Sequence, residues 1–103
     1  MKLTLQQAAS AVADLFEAAP ETWTHGTNAR DAFGLRVDVD DPIACCFCAI
    51  GGLRAASGCS QAGAYNFLAR VQPFPTRHND QRGRLAAIRM LRRAAGEIEC
   101  ERG

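Results

Sequence analysis

A chain of 103 residues can bury one hydrophobic core and is short for two; with 48% hydrophobic and 22% charged side chains it reads as folded rather than disordered. The N-terminal MKLTLQQAAS turns polar before an apolar run develops, and no stretch reaches the roughly 18 apolar residues of a membrane span, so neither a secretory signal nor contact with a bilayer is expected. A net charge of +1 and a pI near 7.7 argue against a chain whose whole surface is built for polyanions.

The elements then follow in chain order. Thr4 and Gln7 have capping-box spacing, with Leu3 as a hydrophobic staple, and Leu5, Ala8, Val12, Leu15, Phe16 and Ala19 recur at helical intervals until Pro20. Residues 22–40 alternate weakly around Asp31-Ala-Phe-Gly34, whose first and fourth residues suit a type I turn; a small β-hairpin or irregular loop is expected. Asp41-Pro42 offers an N-cap and an N1 proline for a second helix running to Ser57, with Gly58 beyond its end. Ser60 opens a third helix through Tyr65, Phe67, Leu68 and Val71, ended by Pro73 and Pro75. A loop, Phe74 to Asp80, leads to a fourth helix with Leu85, Ile88, Leu91, Ala95 and Ile98 on one face. The expected fold is therefore mainly α: a compact four-helix domain over 1–103, ordered from about 4 to 98, built around the second helix.

Three of the five cysteines fall in Cys45-Cys46-Phe47-Cys48. On a regular helix Cys46 would point about 160° away from Cys48, so the thiols would not converge on one ion, and no metal or cofactor is expected. Cys48 is the candidate nucleophile, with His78 as base and Asn79 and Asp80 as positioning groups, in a Cys…His…Asn/Asp chain order. In a helix that starts near residue 42 it would sit in the second turn, beyond the reach of the helix dipole and among small apolar neighbours that raise its pKa. Packing is the stronger reading of Cys48, and turn or helix capping that of Asn79-Asp80. An odd number of thiols with no export signal points to the reducing cytoplasm.

Charge is divided along the chain. Residues 1–41 hold three basic side chains against seven acidic ones, whereas 77–93 hold Arg77, Arg82, Arg84, Arg89, Arg92 and Arg93 against Asp80 alone. Either the two segments face each other or the arginines meet an acidic partner. Glu97 is placed to pair with Arg93 and offset part of this charge, and all six arginines read as a candidate binding surface. Nucleic acid is the less favoured target, because no aromatics interleave the basic residues.

Trp23-Thr-His-Gly26, Gly34, Cys48-Ala-Ile-Gly51-Gly52-Leu53 and His78-Asn79-Asp80 together resemble an uncharacterised family of small bacterial and phage-borne domains, over residues 5–96. That family typically has alanine where Gly52 stands and an aromatic where His78 stands, so the resemblance does not imply a shared Cys–His pair. It implies structural roles for Trp23, Gly26, Gly34, Gly51 and Gly52, and no activity. The function expected is that of a small non-enzymatic cytoplasmic protein, phage- or mobile-element-encoded, that modulates a larger host protein complex through a charged surface. The alternatives are a Cys48-dependent thiol hydrolase or transferase and, third, an arginine-mediated nucleic-acid binder.

Overall fold

A computed structural model describes residues 2–99, so the ends of the expected 1–103 unit lie outside the described residues. Helix α1 spans Leu5–Ala18 and has the capping box expected of it: Gln7 N donates to Thr4 Oγ1, and Thr4 N donates to the Gln7 side chain. Its buried stripe is Ala8, Ala9, Val12, Ala13 and Phe16. A single 3-10 turn at Pro20–Thr22 follows, and two short strands, β1 (Ala29–Arg30) and β2 (Cys46–Phe47), pair antiparallel with Ala29 opposite Phe47. The turn between them forms as its sequence suggests. Asp31 Oδ1 accepts from Phe33 N and Leu35 N, and Gly34, at φ 83°, takes a backbone conformation other residues resist.

The second helix is shorter than its sequence signals suggest. Helix α2 runs Ala49–Ser57 and ends at the left-handed Gly58; Asp41-Pro42 instead makes a local turn in which Asp41 Oδ1 accepts from Ile43 N. Residues 45–47 are diverted into strand pairing, where Cys45 N donates to Arg30 O. Ile43, outside the helix, is consequently 58% exposed. Burial in α2 is concentrated in Ala49–Leu53, and the following residues are only partly covered. Even so, α2 touches every other helix, while α1 and α5 form the broadest helix pair.

Helix α3 (Gln61–Ala69) starts at Ser60, whose Oγ accepts from Gly63 N. The segment expected as a loop is a helix, α4 (Pro75–Arg82), so the described residues contain five helices rather than four. Proline at N1 and Gly83 after the end are ordinary helix boundaries. Between them Thr-Arg-His-Asn-Asp-Gln-Arg has no apolar stripe, so tertiary contacts rather than amphipathicity hold this helix. Helix α5 (Arg84–Ala95) buries Ala87, Ile88, Met90, Leu91 and Ala95, but Leu85 is 67% exposed and Ile98 lies past the helix end. No helix among the described residues is long and apolar enough to cross a membrane.

Candidate functional site

The early start assumed for α2 would place Cys48 in its second turn; it is in fact the N-cap. Its Sγ accepts from Gly51 N at 3.3 Å, the role usually taken by a serine or aspartate oxygen. The dipole at this position favours a thiolate, but burial outweighs it. With the residue 6% exposed and the Asp80 carboxylate adding to the effect, the thiol is pushed above its ordinary range. The backbone of Asn28 closes over it: Cys48 N donates to Asn28 O, and the thiol lies 3.6 Å from Asn28 Oδ1. A Cβ on Gly51 would sit 1.8 Å from the backbone carbonyl oxygen of Asn28, and one on Gly52 would sit 2.7 Å from Val12 Cγ1. Both glycines are therefore required for close approach of chain to helix.

Asn79 ties this region to the loop. It is 2% exposed, and its Oδ1 accepts both from Ala49 N (3.1 Å), an N–H with no partner inside α2, and from Trp23 Nε1 (3.0 Å). Its Nδ2 donates to Thr24 O and to Asp80 Oδ1, and Asp80 Oδ1 accepts in turn from Gly26 N. Asn79 and Asp80 thus cap neither their own helix nor α5; Asn79 caps α2 across space, and the two together fasten the Trp23–Gly26 loop. The sequence readings missed two residues that complete the junction. Asn28 also donates to Gln61 Oε1, and Arg30 donates to Thr24 Oγ1, His25 O and Gly34 O. Nothing in their local sequence marks them, because every partner but Gly34 and Thr24 is fixed by the tertiary fold or by backbone shape.

Cys48, Asn79 and Asp80 come together, but His78 does not join them. It makes no hydrogen bond to Cys48; it faces a groove of about 760 Å³ lined by Gln72, Arg82, Arg89 and Arg93. Burial, then Arg93 and Arg82, holds its imidazole below the ordinary histidine range. The clustered Cys45, Cys46 and Cys48 likewise do not converge on one point. Cys45 and Cys46 Sγ are 3.6 Å apart and Cys46 donates to Glu21 O, while Cys48 faces Asn28. Among the described residues no group of three or more His, Cys, Asp or Glu side chains could hold a metal ion.

The six arginines divide by what they touch. Arg92 meets Asp14 (2.8 Å) and Glu17 (2.9 Å) from α1 and Glu97 (3.1 Å) from its own C-terminal side, which raises its already high pKa. The acidic and basic ends of the chain therefore do face each other, at this one arginine, and Glu97 pairs with Arg92 rather than with Arg93. Arg84 donates to Phe16 O, and Arg77 stacks over the Phe74 ring at 5.1 Å. Arg82 and Arg89 are exposed and unpaired among the described residues, and Arg93, 8% exposed, donates to Gln72 Oε1 at 2.9 Å. A second groove, about 940 Å³, carries both signs, Lys2 and Arg54 with Asp38 and Asp40, and so neutralises itself. No family model, curated protein or solved structure matches the chain.

Proposed function

We propose that this protein is a non-enzymatic binding protein that modulates a larger protein complex, meeting an acidic surface of it through the α4–α5 face. The observation that carries the reading is the division of the arginines. One face of α5, at Arg92, is matched to the carboxylates of its own chain, and the groove beside it keeps Arg82, Arg89 and Arg93 without one among the described residues. Unmatched like charge is unfavourable in the free protein and becomes favourable against a surface of opposite sign. The thiol-enzyme reading has less support, since the one buried thiol among the described residues is a raised-pKa cap with no imidazole hydrogen-bonded to it. A place among small bacterial and phage-borne domains, and in the reducing cytoplasm, belongs to the same proposal; it rests on the motif residues and the odd number of thiols.

The test is affinity capture from lysate of the source organism, with the native chain beside an Arg82→Glu/Arg89→Glu variant. Both side chains are exposed and make no contact that folding requires. A stoichiometric protein partner is expected on the native chain only, and its retention is expected to weaken with added salt. Equal recovery on the variant, or loss of the captured material to nuclease, overturns the proposal.

A further inference from the structure

The groove is lined by two pairs of basic side chains, three arginines and one histidine. His78 and Arg82 are one turn apart on α4, and Arg89 and Arg93 are one turn apart on α5; that spacing brings each pair onto one helix face, and both pairs line the same concavity. Gly83, at φ 92°, is the corner that folds one helix against the other.

Arg93 points to a ligand. A charged side chain this largely buried, at 8% exposed, is ordinarily matched by a carboxylate. Among the described residues Arg93 has none: its guanidinium donates through Nη2 to Gln72 Oε1, a neutral amide that orients the fork without cancelling its charge. Its sequence neighbour Arg92 shows the contrast, with three carboxylates within 3.1 Å. The remaining N–H groups of Arg93 have no acceptor among the described residues and reach solvent, in a groove lined also by Arg82, Arg89 and His78 and by no acid among those residues.

We infer that this groove binds a phosphoryl group, a phosphate monoester dianion held by Arg82, Arg89 and Arg93 with His78 as a further donor. Charge and geometry select it over a carboxylate. Against three permanent cations a carboxylate brings one charge and two oxygens, whereas a monoester brings close to two charges and three acceptor oxygens. The planar guanidinium fork also matches a phosphate edge in bidentate fashion. His78 reports occupancy. The groups facing it are Arg82 on its own helix and Arg89 and Arg93 on α5, and the 71–73 wall adds no titratable group. In the empty groove these cations and burial disfavour the imidazolium; a seated dianion favours it, so binding takes up a proton. The inference takes from the binding role only the choice of working face.

The experiment titrates the whole chain at low ionic strength with inorganic phosphate, O-phosphoserine and a single-stranded oligonucleotide, followed by calorimetry and NMR. Saturable binding of a monoester or inorganic phosphate is expected, with shifts concentrated at residues 71–93 and the His78 pKa moving upward on saturation. Stronger binding of phosphoserine assigns the source to an esterified side chain, and stronger binding of inorganic phosphate to the free ion. Arg93→Gln and, should that variant misfold, the exposed pair Arg82→Gln/Arg89→Gln are each expected to weaken binding about tenfold or more, as loss of charge-assisted contacts implies. No saturable binding, an unmoved His78, unchanged affinity in the Arg82→Gln/Arg89→Gln variant, or preference for the phosphodiester oligonucleotide overturns the inference. The two proposals fail separately: a partner lost on charge reversal without phosphate binding leaves a carboxylate surface, and phosphate binding without a partner leaves a small-ligand site.

Discussion

Two adjacent residues of α4 belong to different worlds. Asn79 is the hub of a junction in which its own side-chain oxygen and nitrogen each have two protein partners; His78, one position earlier, opens into a groove whose cations have no acid to meet among the described residues. A short polar helix with no apolar stripe can serve both, because it is held by specific hydrogen bonds on one side and leaves the other to the solvent. The lesson is that polar groups which look catalytic in sequence can be fully satisfied and inert, while the chemistry open to a ligand lies with neighbours that are not satisfied.

The largest blow to the junction should come from Gly51→Ala. Its new methyl would overlap a backbone oxygen that cannot swing aside, and a loss of about 3 kcal/mol is expected in urea denaturation. A loss under about 1 kcal/mol would mean that Asn28 does not lie against α2. Asn79→Ala should follow at about 2 kcal/mol, since it strands Ala49 N and Trp23 Nε1 together; the Trp23 fluorescence maximum should shift with it. An unchanged midpoint would dissolve the hub.

Cys48 offers a kinetic contrast. Near pH 8, alkylation by iodoacetamide should be about tenfold or more slower in the native protein than in denaturant, because the thiol is buried and its pKa raised, whereas exposed Cys45 should react at nearly the same rate in both. Because the folded pKa lies above the unfolded one, the thiol's contribution to stability is fully present below about pH 9 and is lost as the pH rises through the folded value. Fast native labelling of Cys48 would restore the nucleophile reading. The smallest effects lie on α5. Arg92→Gln should lower stability by about 1 kcal/mol, less at high salt, as loss of a partly buried charge network. Arg89→Gln should be neutral or slightly stabilising, a few tenths of a kcal/mol at about the size of one like-charge contact. Equal losses at the two positions would remove the distinction between a matched and an unmatched arginine.

Local chemistry was enough for α1, the Asp31–Gly34 turn, the Ser60 start of α3 and the apolar centre of α5. In each, the cap, turn or periodic residues act on neighbours within a few positions, so their effect can be read along the chain. The start of α2 could not be read that way. Asp41-Pro42 is a sound helix signal, but pairing of residues 45–47 with the 24–30 segment satisfies the same backbone groups and delays the helix to Ala49. That α4 is a helix was partly legible in Pro75 and Gly83, and was hidden by the absence of any apolar rhythm between them.

By itself, the sequence determined a small, mainly helical chain with a divided charge and a cluster of small residues able to let backbones approach. Only the tertiary structure decided that Cys48 would cap a helix, that Asn79 would complete that cap across space, and which single arginine would meet the acids of α1. The physical reason is the same in each case. Whether a polar group is quenched or left open depends on which partner the fold brings within hydrogen-bonding distance, and that distance is not written in sequence spacing.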